Sequence, residues 1–222
     1  MKAIGRVECG FPEKFGLPRQ SGVSEEFRGK IVFEPEYAVP EAFRGLEGFT
    51  HIWVIWEFSE TKTESFSPTV RPPRLGGKKR VGVFASRSPY RPNPIAISCV
   101  RLEKITRDKK LGTVLEISGI DMKDGTPVYD IKPYVPFTDC RPDASEGYTA
   151  ETRKKRLTVE TSDEAKKALG DKAEAAAEFI AEDPRPAYDK DPERVYGALF
   201  GGFDVKFTVK DGAAVIIKAE KI

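Results

Sequence analysis

Short apolar segments separated by glycine and proline constrain the fold of this chain most strongly. Six of them occupy the first 140 residues, at positions 3–9, 30–34, 50–58, 81–84, 95–105 and 113–120. Their length and their content of β-branched and aromatic residues are typical of strands. We therefore expect a β-rich barrel or curled sheet, wrapped by segment 124–136 as an extended edge or loop because proline recurs there.

The last third of the chain has a different pattern. Residues 139–151 are polar and typical of a connection, whereas residues 162–181 are rich in Ala, Glu and Lys and indicate a helix that Gly170 can divide. Apolar runs at 203–209 and 214–219 flank an Asp-Gly turn, which predicts a β-hairpin. The predicted fold is mainly β, with a small barrel domain at 1–140 followed by a small α+β domain at 141–222.

Composition restricts the class of protein. The chain has 222 residues, 39% apolar and 32% charged, with a formal net charge of +2, as in soluble globular proteins. Cys9, Cys99 and Cys140 are widely spaced without a CxxC motif, which argues against a disulfide framework or a cysteine zinc site. The polar N-terminus and the lack of a long apolar run predict a cytoplasmic protein without a membrane span. The cysteine pattern and the presence of a single histidine argue against a metal.

One window of the sequence is strongly basic. Residues 65–102 contain eight Lys or Arg and no Asp or Glu, so a local positive field is expected in an almost neutral chain. Inside it, the segment RSPYRPNP at 87–94 places two arginines, a tyrosine and an amide on a backbone stiffened by proline. We expect an anion-binding site there, although a plain surface turn would also explain the prolines.

Several common chemistries are poorly supported. Neither GxxxxGK[ST] nor GxGxxG occurs, which disfavours a phosphate loop or a dinucleotide fold. His51 is the single histidine and lies in the apolar run FTHIWVIWEF, so histidine-based catalysis and serine hydrolase chemistry are disfavoured. Asp121 and Asp124 either cap turns or, opposite a cationic loop, hold the hydroxyls and amine of a nucleoside-like ligand.

Six motifs together carry a resemblance to a known family: KFGLPRQSG, RGLEGFTHIWVIWEF, TVRPPRLGG, GVFASRSPYRPNPIAIS, DMKDGTPVYDIKPYVPF and DPRPAY. They resemble the TsaA-like family of β-barrel S-adenosylmethionine-dependent tRNA methyltransferases. The resemblance implies S-adenosyl-L-methionine as cofactor and tRNA as partner, and a homodimer with the cofactor site near the subunit interface. It also implies methyl transfer to N6 of N6-threonylcarbamoyladenosine at tRNA position 37, with the C-terminal domain contacting tRNA.

The same resemblance implies the site residues. The implied cofactor contacts are Pro18, Arg19, Gln20, Ser59, Glu60, Arg87, Cys99, Ile120, Asp121, Met122 and Lys123. The nitrogen that is methylated needs an acceptor for its proton, for which Asn93 is the first candidate and Asp121 or Asp124 the rivals. Arg87 is expected to meet the methionine carboxylate of the cofactor. The expected contacts to RNA phosphates are Lys78, Lys79, Arg80 and Arg91, and Tyr90 either stacks on the target base or packs beneath its loop.

Two alternatives stay open. The basic window would serve equally well in a non-catalytic RNA-binding barrel. A methyltransferase of the same family could also act on another RNA or on a small molecule.

Overall fold

Six antiparallel strands close into a barrel in the computed structural model, which describes residues 1–11, 17–18, 20–61, 65–72, 75, 79–151, 156–185 and 191–222. The strand order around the barrel is β1-β2-β7-β6-β3-β8, and β4 and β5 form a separate two-stranded ribbon. The bounds are β1 Gly5–Cys9, β2 Arg28–Phe33, β3 His51–Glu57, β4 Thr69–Val70, β5 Val81–Gly82, β6 Ile95–Asp108, β7 Gly112–Ser118 and β8 Pro127–Pro133.

Alternation along the strands fills the barrel. In β3, Ile52, Val54 and Trp56 are buried while the residues between them are partly exposed. Strand β7 buries Val114, Leu115 and Ile117 from its predicted apolar run. The predicted β-barrel is therefore confirmed.

Strand β8 differs from the prediction. The segment expected to be an edge or loop instead pairs with both β1 and β3 and closes the barrel. Pro127 and Pro133 occupy the two ends of the strand, where a missing N–H costs few ladder hydrogen bonds, and the residues between them are free to pair. Conversely, the predicted strand at 81–84 shortens to β5, because the 3-10 turn Val83–Ala85 follows it.

Helices and a second sheet follow the barrel strands in the described residues. Two short helices, α1 Pro136–Asp139 and α2 Tyr148–Glu151, lie in the connecting region. They precede β9 Thr158–Thr161, α3 Asp163–Leu169, α4 Ala173–Ala181, β10 Tyr196–Phe200, β11 Phe203–Lys210 and β12 Ala213–Lys221. The four strands form a sheet in the order β10-β11-β12-β9, with β9 parallel to β12.

The sequence predicted part of this unit correctly. Gly170 has a positive φ of 58° and ends α3, so the expected helix is divided there. Asp211 and Gly212 also have positive φ and form the tight turn of the β11–β12 hairpin. Strands β9 and β10 were not predicted, because TVET is short and polar and YGALF contains an interior glycine.

Aromatic rings join this unit to the barrel. The ring of Phe200 on β10 lies 5.4 Å from that of Phe11 and 6.0 Å from that of Phe27, and it stacks on Phe179 of α4 at 5.6 Å. Phe27 and Phe200 are each 1% exposed, so the barrel and the C-terminal unit share one apolar core. No helix among the described residues is long and apolar enough to cross a membrane.

Candidate active site

A cavity of about 330 Å³ lies at the end of the barrel where β3 stops and β6 begins. Its apolar wall includes Trp56 of β3 and Phe58, the residue that follows β3. Ile95 and Ile97 of β6 complete this wall. The rings of Trp56 and Phe58 are 4.4 Å apart. Apolar and aromatic walls with a few polar groups are typical of small-ligand sites of this size.

Leu17, Pro18 and Gln20 form a second wall, and hydrogen bonds hold the two residues after them in place. The amide of Gly22 donates to the carbonyl of Gly119 at 2.9 Å, and the Cys99 amide donates to Ser21 Oγ at 3.1 Å. Gly119 has a φ of 74°, and a Cβ there would lie 3.4 Å from the Gly22 backbone. The close approach and positive φ both favour glycine, and the resulting turn aims the following residues at the cavity.

Asp121 is one of three carboxylates among the described residues that line this cavity. Its Oδ1 accepts a hydrogen bond from Ser98 Oγ at 2.6 Å, and Ser98 Oγ in turn accepts from Trp56 Nε1 at 2.8 Å. Burial raises the pKa of Asp121 to about 6, although the hydrogen bonds from Ser98 and the Ser21 backbone and the charge of Arg87 oppose that rise. The carboxyl is therefore ionised at neutral pH yet close enough to its pKa to take up a proton.

The other charged groups of the cavity have partners. Arg87 Nη1 donates to Gln20 Oε1 at 2.5 Å, and Arg91 Nη1 donates to the Ser86 carbonyl at 3.1 Å. Lys123 forms an ion pair with Glu60, and Tyr129 donates its hydroxyl hydrogen to Glu57. The cavity thus combines carboxylates with guanidinium groups, a donor and acceptor set suited to a zwitterionic ligand with hydroxyl groups.

Most of the cofactor contacts implied by the resemblance lie together. Those of the implied contacts that line the cavity are Pro18, Gln20, Ser59, Glu60, Arg87, Asp121 and Lys123. Three other residues in the described part of the chain do not line it: Ile120 and Met122 are buried in the core, and Cys99 contributes its backbone amide to Ser21. Arg19 lies outside the described residues.

The three candidate proton acceptors are placed differently. Asn93 is exposed and lines neither this cavity nor the neighbouring one, and its carbonyl accepts from the Ile95 amide at 2.7 Å. Asp124 fixes a turn, because its Oδ1 accepts from the Cys9 amide at 2.8 Å. Of these three described residues, Asp121 alone borders the cavity.

A wider cavity of about 1160 Å³ adjoins the first and shares Gln20, Arg87 and Pro89 with it. Arg71 and Arg80 contribute positive charge, and none of the described residues that line it is acidic. Phe84 and Tyr90 line it while 73% and 54% exposed. Exposed rings beside guanidinium groups are typical of surfaces that bind single-stranded nucleic acid.

The expected phosphate contacts divide between the two cavities. Arg80 lines the wide cavity, Lys79 is exposed beside it, and Arg91 lines the small one. Lys78 lies outside the described residues. Arg91 therefore faces the candidate cofactor cavity as well as its own loop, which the basic window alone did not indicate.

The sequence analysis did not identify several residues that form or support the site. Trp56 and Ile97 form much of the apolar wall, and Ser98 supports Asp121 from inside the barrel. A signal was present for Ser98, since it is a polar residue at an inward position of an alternating strand. Trp56 could have been identified in the same way, because it occupies an inward position near the end of β3.

Fold and site together define a class: a small closed β-barrel with a ligand cavity at one end, a basic aromatic cavity beside it and an α+β unit packed on the barrel. The chain matches the N-terminal domain of tRNA-methyltransferase O over residues 6–140 and the TrmO C-terminal domain over residues 154–222. It therefore belongs to the tRNA-methyltransferase O family, the family that the sequence motifs indicated.

Individual relatives agree with this membership. The tRNA (adenine(37)-N6)-methyltransferase of Escherichia coli K12 is 39% identical over 232 residues, which cover 98% of this chain and 96% of the relative. The human protein of the same name is 40% identical over 138 residues, 60% of this chain but 29% of its own length. A crystal structure of TrmO from Pseudomonas aeruginosa superposes with a TM-score of 0.79 at 32% identity, covering 99% of this chain and 96% of that one.

Proposed function

We propose that this chain transfers a methyl group from S-adenosyl-L-methionine to N6 of N6-threonylcarbamoyladenosine at position 37 of tRNA. One observation carries the proposal: a small cavity with an ionisable carboxylate opens beside a wide basic and aromatic cavity, and the two share Arg87. Such an arrangement suits a cofactor and an RNA nucleotide that must meet. Membership of the tRNA-methyltransferase O family supports the same assignment.

The residues of the small cavity fit this cofactor. Trp56 and Phe58 offer aromatic surface for an adenine ring, and the Arg87 guanidinium can pair with the methionine carboxylate. Glu57 can accept hydrogen bonds from the ribose hydroxyls or the amino group of the cofactor. When bound, the cofactor supplies an electrophilic methyl group on a positively charged sulfur.

The protein's own part in the chemistry is to position the acceptor and to take up its proton. The N6 nitrogen shares its lone pair with the ring and the carbamoyl group, so losing its proton makes it a better nucleophile. We assign this role to Asp121 in place of Asn93, because the Asp121 carboxyl borders the cavity and its pKa of about 6 leaves it ionised at neutral pH. Each turnover then leaves one proton on Asp121, which solvent removes after product release.

The wide cavity is our candidate for the tRNA. Arg71 and Arg80 would meet phosphates, and the Tyr90 ring would stack on a base of the anticodon loop. Tyr148 also lines this cavity, so the connecting region takes part in it. We propose that the C-terminal domain at 141–222 extends the same RNA-binding surface and that the protein acts in the cytoplasm.

A homodimer is part of the proposal. Ile97 borders the small cavity yet is 52% exposed, and exposed apolar groups around a cavity are consistent with cover by a second subunit. Light scattering of the purified protein, which gives its mass in solution, decides this part: a mass near 25 kDa, that of one chain, contradicts it.

Mass spectrometry of tRNA nucleosides tests the function in cells. In an Escherichia coli strain that lacks its own tRNA (adenine(37)-N6)-methyltransferase, this chain should restore the methylated form of N6-threonylcarbamoyladenosine, whereas the Asp121→Asn variant should not. Restoration by neither protein contradicts the proposal. Methylation of a different nucleoside would favour the same chemistry on another RNA.

A further inference from the structure

Ser98 is a polar side chain inside an apolar barrel. It lies on β6 opposite Val54 of β3, and it is 0% exposed. A hydroxyl group buried among apolar residues destabilises the fold unless its hydrogen bonds are made. The partners of this hydroxyl group therefore show what the residue does in the fold.

The direction of the two hydrogen bonds of Ser98 follows from chemistry. The indole Nε1 of Trp56 carries a hydrogen and can only donate, so at 2.8 Å the Ser98 oxygen accepts. The single hydroxyl hydrogen then remains for Asp121 Oδ1 at 2.6 Å, a length typical of a bond to a charged oxygen. Trp56 therefore orients Ser98, and Ser98 donates to the ionised form of Asp121.

Other groups around Asp121 contribute less to its ionisation. Among the contacts that lower the pKa of this carboxyl, the Ser98 hydrogen bond comes first, followed by the backbone of Asp121 itself, the backbone of Ser21 and the charge of Arg87. The remaining charged residues that line the cavity are Glu57, Glu60, Arg91 and Lys123. Glu57 is bonded by Tyr129 and Glu60 by Lys123, while Arg91 bonds the Ser86 carbonyl.

We propose that Ser98 is a positioning residue of the methyl-transfer site: its hydroxyl aims the Asp121 carboxylate and keeps it ionised as the proton acceptor. The inference rests on the proposed function, in which Asp121 takes the N6 proton. Ser98 acts from the interior of the barrel and does not border the cavity among the described residues. Its contribution should therefore appear as a change in pH dependence.

Two measurements on the full chain test this inference. Carbon-13 NMR of labelled aspartate follows the Asp121 carboxyl directly, and single-turnover methylation of modified tRNA is measured from pH 5.5 to 8.5. In Ser98→Ala the carboxyl midpoint should rise by about one pH unit, because a hydrogen bond to the charged form is lost. The rate at pH 6 should then fall about fivefold relative to wild type, and the two rates should converge by pH 8.

Ser118→Ala is a matched control. Ser118 is also 0% exposed and donates to a carboxylate at 2.6 Å, but its acceptor is Glu103, which does not line either described cavity. This variant should leave both profiles unchanged. Ser98→Thr retains the hydroxyl and should return the carboxyl midpoint and the acid limb of the rate profile to the wild-type positions.

The possible results of these measurements distinguish a failure of this inference from a failure of the proposed function. An unchanged Asp121 midpoint in Ser98→Ala overturns the inference, and so does a raised midpoint with an unshifted rate profile. A loss of rate by the same factor at every pH indicates a merely structural role and also overturns it. If wild-type protein leaves the tRNA unmethylated, the proposed function fails, and the carboxyl titration alone then decides whether Ser98 sets the ionisation of Asp121.

Discussion

At the residue scale, the burial of Asp121 makes the stability of the protein depend on pH. Burial raises the pKa of its carboxyl to about 6, above the ordinary value of 3.8, so the folded protein holds this proton more tightly than the unfolded chain does. Well below pH 4 the residue is neutral in both the folded and the unfolded protein, so folding does not bury a charge there. Above pH 6 it is ionised in both states, and folding must bury a charge.

Replacing Asp121 by Asn should therefore stabilise the protein at high pH. At pH 8 the free energy of unfolding should rise by about 1–3 kcal/mol, whereas at pH 4 the variant and the wild type should differ little. Urea denaturation at the two pH values measures this. Asp143→Asn, on an exposed residue of the connection, is the control and should change neither value. Equal effects of Asp121→Asn at both pH values would show that the ionised carboxylate does not carry the cost.

Arg87 provides a second prediction at this scale. Arg87→Ala should weaken S-adenosylmethionine binding about ten- to a hundredfold, because a charge-assisted hydrogen bond to a carboxylate is lost. Calorimetry with the cofactor measures this loss. Arg101→Ala is the control, since Arg101 belongs to the same basic window but bonds Glu25 and lines neither described cavity. Similar losses in the two variants would remove Arg87 from the cofactor site.

The site was only partly predictable from single residues. Asp121 and Arg87 were identified from motifs, and both line the cavity. Asn93 was favoured for its place in RPNP, yet the proline-stiffened turn leaves it exposed outside the lining. Spacing along the chain does not reveal which side of a turn faces inward. Only the pairing of β6 with both β3 and β7 brings Trp56, Ser98 and Asp121 together.

At the element scale, the predictions succeeded where the pattern was local. The strand predicted at 50–58 is present as β3, and the predicted Asp-Gly turn joins β11 and β12. Strand β8 was missed because its prolines argue against a central strand unless they lie at its ends. Barrel closure depends on long-range pairing of β8 with β1 and β3, which no local pattern encodes.

The packing of β10 on the barrel also yields a prediction. Phe200→Ala should destabilise the protein by about 3–5 kcal/mol, since it leaves a cavity beside Phe11, Phe27 and Phe179. Leu199→Ala, on the 40% exposed neighbour, should cost much less. Thermal or urea unfolding measures both variants. Equal costs would show that Phe200 is not part of the shared core.

At the scale of the whole molecule, the shared aromatic core connects the C-terminal unit to the candidate cofactor cavity. Phe11 packs on Phe200, and Phe11 precedes the segment that carries Pro18 and Gln20 into the cavity. Removing residues 141–222 would uncover Phe11 and Phe27, so truncation would disturb the packing of the barrel as well as RNA binding. Point variants are therefore the sharper tests of the RNA surface.

The charge distribution predicts how tRNA binding responds to salt. Replacing Arg71 and Arg80 together by Ala should weaken tRNA binding and reduce the slope of log affinity against log salt by about one for each phosphate that is no longer neutralised. Filter binding at several salt concentrations measures the slope. The control replaces Lys109 and Lys110, an exposed pair beyond the far end of β6. A slope unchanged in the Arg71 and Arg80 variant would place the RNA elsewhere.

Methylation by the purified protein tests the central claim most directly. Two preparations of the same tRNA, with and without the N6-threonylcarbamoyl group at adenosine 37, are incubated with S-adenosylmethionine carrying a deuterated methyl group and analysed by mass spectrometry. We expect one deuterated methyl group on the modified nucleoside at position 37 in the first preparation and none in the second. Equal labelling of both, or labelling of neither, would contradict the claim.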